Sequence, residues 1–312
     1  MDFILLIAGL AGLWLGTEAA LRGAISISAR IGMSEFVVGV VILSIGSNLP
    51  ELAIAIDGAF VNLRGGQASD LIVGSAIGSG LGQFGFVLGL TGLLGYLALP
   101  KRILIAHGAV LLGTLVLLGF VGYDASVSRA EGALLVVVYL VYLGFLLSDK
   151  DDSLSKDDSG SSLPLGRSWL FVVVGLGIVI ASAEITVSAA SNVARMLEIE
   201  ESFVAIVIIG LGTSLPEFSI SVGAIIRRRS SMSVGNLIGS NIFDTLVPVG
   251  VAATISGIRF DFNMLTRDLP FLFALSVLVL ILFWRKRGIQ RYEATVILTA
   301  YFAYVLVKLS NI

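Results

Sequence analysis

The chain has 312 residues, of which 56% are hydrophobic and only 13% are charged, and its net charge is −2. Soluble domains are about 25% charged, so the composition predicts an integral membrane protein. It has no cysteine, which excludes disulfides, thiol catalysis and thiolate metal sites, and its single histidine, His107, cannot form a histidine metal cluster. No basic patch is interleaved with aromatic residues, so nucleic-acid binding is not expected.

Apolar runs separated by charged residues predict ten spans, because a membrane-spanning helix needs about 20 mostly apolar residues. The N-terminal stretch MDFILLIAGL has no basic segment and predicts a first span instead of a cleaved signal peptide. The predicted limits are 3–29, 35–61, 69–96, 101–121, 129–147, 169–195, 202–227, 231–257, 266–284 and 291–309.

The segment between the fifth and sixth spans is rich in Ser, Asp and Gly, which is typical of a solvated linker. It reads SDKDDSLSKDDSGSSLPLGR and begins at residue 148. The predicted organisation is therefore a first five-helix repeat over 1–147, a cytoplasmic linker over 148–168 and a second repeat over 169–312.

The orientation follows from the distribution of Lys and Arg, which accumulate on the cytoplasmic side. With ten spans, the linker side carries fourteen of these residues and the opposite side carries six. We therefore expect the linker to be cytoplasmic and both termini to lie outside, in the plasma (cell inner) membrane. Five spans per half is an odd number, so the two halves must cross the membrane in opposite directions.

The two halves also resemble each other in sequence. GSNLPE at 46–51 matches GTSLPE at 212–217, and GSAIGSGLGQ at 74–83 matches GNLIGSNIFD at 235–244. Glu18 and Glu184 are 166 residues apart, the same offset that separates Glu51 from Glu217. Three matches in one order predict an inverted-topology repeat, which is a common construction of secondary transporters.

The second and seventh spans each contain a Leu-Pro-Glu motif inside an apolar run. Asn48 to Glu51 and Ser214 to Glu217 look like capping boxes, which mark the start of a helix. Each span therefore reads as a broken helix, whose halves meet between Gly46 and Pro50 in one case and between Gly212 and Pro216 in the other. A proline frees backbone carbonyls that cannot face lipid, here those of Ser44, Ile45, Gly210 and Leu211.

The third and eighth spans share the pattern Gly-x-x-Ile-Gly-Ser with a polar residue four positions after the Ser. Ser79 and Gln83 are one helical turn apart and lie on one face, as do Ser240 and Asp244. Glycines spaced by four, at 74, 78, 235 and 239, predict a smooth stripe for close helix packing. Asp244 lies within an apolar span and needs a partner.

The candidate ligands share oxygen chemistry. They are the carboxylates Glu51, Glu217 and Asp244, the hydroxyls Ser47, Ser79, Thr213, Ser214 and Ser240, the amides Asn48 and Gln83, and the freed carbonyls. Such sets suit hard cations: Ca²⁺ takes about 6–8 oxygens at roughly 2.3–2.6 Å, and Na⁺ is of similar size. The residues therefore predict an inverted-repeat cation transporter with a carboxylate site at the membrane midplane.

These motifs resemble the two α-repeats of the cation/Ca²⁺ antiporter superfamily, in particular its prokaryotic sodium/calcium exchangers. The resemblance covers nearly the whole chain and implies an all-α integral membrane fold: ten transmembrane helices in two inverted five-helix repeats, with broken helices at the midplane. It also implies exchange of Ca²⁺ for Na⁺ by alternating access, in which the first and sixth spans slide as a gating pair.

The resemblance further implies a set of ion ligands, with Glu51 and Glu217 as the principal ones for Ca²⁺. The first half would supply Ser47, Asn48, Glu51, Ser79 and Gln83, the second half Thr213, Ser214, Glu217, Ser240 and Asp244, and Ser44 and Gly210 would supply backbone carbonyls. This chain departs from the family pattern mainly in its first half, at Ser44, Ser47, Asn48, Ser75 and Gln83. Gln83 extends one methylene further than the Asn that is usual there.

Other functions remain as alternatives. A H⁺-coupled exchanger of Ca²⁺ or another divalent cation would need a buried carboxylate with a raised pKa. A channel needs weaker, multi-site ion binding, and an enzyme needs a nucleophile with a positioned base, which the motifs do not supply. We expect a transporter and not an enzyme, with no cofactor, with Ca²⁺ and Na⁺ as transported ions, with the lipid bilayer as surroundings and without an obligate protein partner.

Overall fold

The computed structural model describes residues 2–148, 163–196 and 214–310. Helices account for most of these residues. They are α1 Asp2–Ile31, α2 Glu35–Ser47, α3 Leu49–Leu63, α4 Ser69–Leu94, α5 Lys101–Val121, α6 Arg129–Ser148, α7 Leu165–Met196, α8 Leu215–Ile226, α9 Ser230–Ser256, α10 Met264–Lys286 and α11 Arg291–Ser310. The ends of the fully described helices lie within a few residues of the predicted limits.

The helices establish an all-α integral membrane protein that crosses the bilayer several times. Among the residues that the structure describes, seven helices are long and apolar enough to span a membrane, and the pair α2 and α3 makes eight if it is counted as one broken span. The predicted number of ten stays a prediction. The seventh span is described only from Ser214 onward, and most of the linker, 149–162, lies outside the described residues.

Four two-residue strands were not predicted. β1 (Leu97–Ala98) pairs antiparallel with β4 (Gly288–Ile289), and β2 (Ser126–Val127) pairs with β3 (Ile258–Arg259). Each strand lies in a short connection between two helices, where backbone groups have no helical partner. Pairing two such connections satisfies these groups and leaves the all-α class unchanged.

The chain divides into two compact units, each of which combines segments from both predicted repeats. The first unit contains Met1–Ser47 and Lys150–Leu237, and the second contains Asn48–Asp149 and Ile238–Ile312. In the first unit, α1 packs along α7, and both also pack against α8. In the second unit, α4 packs against α3, α10 and α11, and α5 packs against α10.

The packing of α1 on α7 depends on glycines that allow very close approach. An added Cβ at Gly9 would meet Thr186, one at Gly16 would meet Val179, and one at Gly23 would meet Val172. Contact positions that increase along α1 while they decrease along α7 show that the two helices run antiparallel. These are the first and sixth predicted spans, which inverted repeats would place in opposite directions.

The predicted glycine stripe is only partly confirmed as a packing surface. A Cβ at Gly235 on α9 would lie 2.4 Å from the carbonyl oxygen of Phe36 on α2, so this position requires glycine. A Cβ at Gly78, in contrast, would meet no described residue within 4 Å. The packing explanation is therefore confirmed for Gly235 and stays a prediction for Gly78.

The outer surfaces of the helices are strongly apolar. On α6, for example, Leu134, Val137, Leu140, Val141 and Phe145 are each about half exposed or more. A continuous apolar face of this kind is unfavourable in water, but it matches the hydrocarbon core of a bilayer. The polar side chains of the motifs lie inside the units instead.

Candidate ion-binding site

The predicted break in the second span is confirmed. Helix α2 ends at Ser47, α3 begins at Leu49, and Asn48 between them has φ −92° and ψ 10°. Pro50 occupies the first turn of α3, and the chain bends by 46° at this point. The proline explains the break, because it has no backbone N–H to donate to the carbonyl of Gly46, four residues earlier, and its ring clashes with that carbonyl in a continuous helix.

The seventh span shows the same backbone geometry at its described end. Ser214 has φ −90° and ψ 6°, α8 begins at Leu215, and Pro216 lies in its first turn. The first helical hydrogen bonds also correspond: Leu52 N–H donates to the Asn48 carbonyl at 3.2 Å and Phe218 N–H donates to the Ser214 carbonyl at 2.9 Å. The predicted first half of this span, with Gly210 and Thr213, lies outside the described residues.

The capping part of the prediction is wrong for both motifs. Neither Asn48 nor Ser214 makes a side-chain hydrogen bond that caps its helix. The Asn48 amide donates to Ser240 Oγ at 2.8 Å instead. A tertiary partner in the buried interior competes with the local backbone for this amide, and the local pattern contains no information about that partner.

Six buried polar side chains of the second unit form a hydrogen-bonded group, which we call the Asp244 cluster. It consists of Asn48, Ser79, Gln83, Ser240, Asn241 and Asp244. Ser79 and Gln83 come from α4, and the last three residues come from α9. Five of the six were predicted as ligands, and the structure brings these five together within this unit.

Gln83 is the centre of the cluster. Its Nε2 donates to Asp244 Oδ2 at 2.9 Å, to Ser79 Oγ at 2.9 Å and more weakly to Asn48 Oδ1 at 3.4 Å. The contact with Ser79 confirms that the two residues share one helix face. Gln83 lies in a π-helical turn, Gly82–Val87, and such turns are frequent at functional sites.

Asn241 is a member of the cluster that the sequence analysis missed. Its Nδ2 donates to Gln83 Oε1 at 2.7 Å, and the residue is buried. A signal was present, because Asn241 is a polar residue in the apolar eighth span, inside the motif GNLIGSNIFD. It was overlooked because only positions matched between the two repeats were considered.

The carboxylate of Asp244 has two chemically different oxygens. Oδ2 accepts hydrogen bonds from Ser79 Oγ at 2.8 Å and from Gln83 Nε2 at 2.9 Å. Oδ1 is buried and accepts no hydrogen bond from the residues at 2–148, 163–196 and 214–310. Burial of a carboxylate oxygen without a donor is costly, and a bound cation would compensate for it.

The other two predicted carboxylates are buried as well. Glu51 lies in the first turn of α3 and is 5% exposed, and Glu217 lies in the first turn of α8 and is fully buried. Over the described ranges, no group of three or more His, Cys, Asp or Glu side chains could hold a metal ion. A bound ion would therefore need hydroxyl or carbonyl oxygens in addition to carboxylates.

In the first unit, the side chains of Ser44 and Ser47 bond to the backbone of α2. Ser47 Oγ donates to the Ser44 carbonyl at 3.3 Å, and Ser44 Oγ donates to the Val40 carbonyl at 2.8 Å. The Ser44 carbonyl, predicted to be freed by Pro50, thus already accepts one hydrogen bond. The prediction of a freed carbonyl is therefore corrected only in part, because the hydrogen bond from Ser47 uses one of the two lone pairs of this oxygen.

A second polar group of the first unit lies around α8. Asn236 on α9 donates to Ser221 Oγ at 3.3 Å, and Ser221 follows Glu217 by one helical turn. Ser214 Oγ, at the start of α8, is buried without a hydrogen-bond partner among the described residues. Its unsatisfied hydroxyl oxygen is compatible with the predicted role of Ser214 as a ligand.

Glu18 forms ion pairs. On α1, it pairs with Arg227, and its Oε1 accepts a hydrogen bond from Arg22 Nε at 2.7 Å. The neighbouring Thr17 shares a 2.5 Å hydrogen bond with Ser219 of α8. The ion pair of Glu18 with Arg227 and the bond of Thr17 to Ser219 connect α1 with α8 and its C-terminal end.

Comparisons with known proteins agree with this chemistry. The sequence profile described as sodium/calcium exchanger protein matches residues 1–148 and 167–310. The putative antiporter CaxA of Alkalimonas amylolytica is 29% identical over 99% of this chain and 98% of its own length. The sodium/calcium exchanger MaX1 of Methanosarcina acetivorans is 25% identical over 98% of both chains.

A solved structure of the sodium-calcium exchanger NCX_Mj superimposes with a TM-score of 0.82 at 25% identity and covers 98% of both chains. The profile match extends over nearly all of this sequence, and it agrees with the resemblance inferred from the Pro-Glu and Gly-Ser motifs. The chain belongs to the sodium/calcium exchanger family, within the cation/Ca²⁺ antiporter superfamily.

Proposed function

We propose that this protein exchanges Ca²⁺ for Na⁺ across the membrane by alternating access. The single observation that carries the proposal is the buried Asp244 carboxylate, whose Oδ1 accepts no hydrogen bond from the described residues. Membership of the exchanger family supports ion exchange as the type of transport. The oxygen atoms of the cluster support a preference for hard cations.

In this proposal, Glu51 and Asp244 supply carboxylate oxygens from the second unit. Glu217 is included because it occupies the position in the second repeat that matches Glu51. The hydroxyls of Ser214 and Ser240 are included as well. The ligand set that the family resemblance implies also contains Thr213, the carbonyls of Ser44 and Gly210, and the side chains of Ser47, Asn48, Ser79 and Gln83. The cytoplasmic linker and the outside termini are likewise part of the proposal and rest on the distribution of Lys and Arg.

The test is Ca²⁺ uptake into vesicles that contain the purified protein. We expect an outward Na⁺ gradient to drive uptake and a pH gradient alone to drive none, because Na⁺ is the ion that competes for the oxygen site. Radioactive Ca²⁺ trapped in the vesicles is the readout, and protein-free vesicles with the same gradients are the control. Uptake that is indifferent to Na⁺ would contradict the Na⁺-coupled proposal.

A second candidate is exchange of Ca²⁺, or of another divalent cation, for H⁺. It is favoured by two of the three amides of the cluster. Asn48 presents N–H donors to Ser240, and Gln83 presents them to Asp244, at positions where oxygen ligands would favour Na⁺. Uptake driven by the pH gradient alone, and abolished by a protonophore, would select this candidate in the same vesicles.

A further inference from the structure

We infer that Gln83 is a positioning residue that fixes the direction of the Asp244 carboxylate and is not itself an ion ligand. The inference rests on the proposed function, because it assigns roles within the same ion site. It departs from the sequence interpretation, which counted the Gln83 side chain among the ligands.

The first step is the direction of the hydrogen bond between the two residues. Gln83 Nε2 lies 2.9 Å from Asp244 Oδ2 and donates to it. Ser79 Oγ donates to the same oxygen at 2.8 Å. Oδ2 thus accepts hydrogen bonds from two side chains. A hydrogen bond to a charged acceptor is about twice as strong as one between neutral groups.

The second step is the orientation of the Gln83 amide itself. Its Oε1 accepts a 2.7 Å hydrogen bond from Asn241 Nδ2. A flipped amide would lose this bond and would place Oε1 against the Asp244 carboxylate, oxygen against oxygen. Asn241 therefore keeps the N–H groups of Gln83 directed at Asp244 and engages one of the two lone pairs of Gln83 Oε1.

The consequence is a carboxylate with a fixed direction. With Oδ2 held by Gln83 and Ser79, the buried Oδ1 is the oxygen that remains to bind an ion. A site whose ligand is held in advance loses less freedom on binding, so affinity rises without an additional contact. The effect of Asn241 on ion binding passes through Gln83, in the same way that outer residues orient the ligands of metal sites.

The experiment is a double-mutant cycle, read out by calorimetric titration of the purified full-length protein with Ca²⁺. Gln83→Met keeps the side-chain length but removes both the donor and the oxygen of Gln83, and Asn241→Leu leaves Gln83 intact but removes the amide that donates to its Oε1. We expect Gln83→Met to weaken Ca²⁺ binding about 10–30-fold and Asn241→Leu to weaken it about 5–10-fold. The double variant should bind no more than about twofold worse than Gln83→Met alone, because both changes act on one chain of contacts.

A third variant separates positioning from ligation. Gln83→Glu keeps the length and an oxygen but replaces the N–H donor with an acceptor. A ligand at this position would retain or tighten Ca²⁺ binding in this variant, whereas a positioning donor loses its bond to Asp244 and binding weakens. The control is Asn62→Leu, which removes an amide that bonds Ser69 and Ala68 outside the cluster and should leave the Ca²⁺ affinity at the wild-type value.

The opposite results would overturn the inference in distinguishable ways. If the wild-type protein binds Ca²⁺ but Asn241→Leu binds it equally or more tightly, Gln83 Oε1 is a ligand released by the substitution and the positioning role is wrong. Fully additive losses in the cycle would also contradict it. If the wild-type protein binds no Ca²⁺ at all, the proposed function fails together with the inference.

Discussion

Glu51→Gln and Glu217→Gln are each expected to reduce Ca²⁺ exchange by about 10–100-fold while leaving the protein folded. Each substitution removes one negative charge and keeps the side-chain volume. A charge-assisted contact is worth roughly 1.5–3 kcal/mol, and tenfold in affinity corresponds to about 1.4 kcal/mol. A divalent ion gives up its hydration when it enters the site. The neutral amide of the glutamine cannot replace the favourable electrostatic energy that the missing carboxylate supplied.

The measurement is Na⁺-driven Ca²⁺ uptake in vesicles, together with thermal unfolding of the purified variants without Ca²⁺. Unfolding should be unchanged or shifted slightly upward, because an uncharged amide is cheaper to bury than a carboxylate. The matched control is Glu131→Gln, whose carboxylate accepts the Ser128 backbone N–H at 2.8 Å at the start of α6. Normal exchange in both site variants would refute the assignment of the two glutamates.

Gly175→Ala is expected to destabilise the protein by about 1–3 kcal/mol or more, although alanine is ordinarily the better helix former. An added Cβ would lie 2.4 Å from the backbone nitrogen of Ala20 and 2.7 Å from the carbonyl oxygen of Gly16. Both atoms belong to the backbone of α1, so the clash cannot be relieved by rotating a side chain. The two helices would have to separate, which also disrupts the pair to which the family resemblance assigns the gating movement.

Thermal unfolding and size-exclusion profiles in detergent measure this effect. Gly177→Ala is the control on the same helix, because a Cβ there meets nothing within 4 Å among the described residues. It should be neutral or stabilising by up to about 1 kcal/mol, as helix propensity predicts. Equal stability of the two variants would show that α1 and α7 are less closely packed than the structure indicates.

Much of the fold was predictable because its signals are local. The apolar runs predicted the fully described helices to within a few residues, and Pro50 predicted the break that is found at Asn48. Each signal depends on hydropathy or on proline geometry over one or two helical turns. The paired two-residue strands and the π-helical turns were missed, because they depend on packing between segments that are distant in the chain.

The sequence predicted which residue types form the candidate site, but it did not predict which side chains bond to each other there. Oxygen-rich residues at matched repeat positions indicated a hard-cation site, and five of them meet in the Asp244 cluster. Asn241 was missed because the position that matches it in the first repeat is Gly80, so the comparison of the two repeats did not single it out. The capping roles of Asn48 and Ser214 were wrong because the motif fits the backbone, whereas the Asn48 side chain bonds elsewhere.

The sequence by itself determined that this protein is a multi-pass membrane protein, where its second span breaks, and which residue types could bind an ion. Tertiary structure alone decided which of these side chains donate and which accept. The Asn48 amide reaches Ser240, 192 residues away, and the Gln83 amide reaches Asp244, 161 residues away. The physical reason is that hydropathy and helix breaks are local properties of the chain, whereas an amide has both a donor and an acceptor end, and only the neighbours brought by folding determine which end faces the ion.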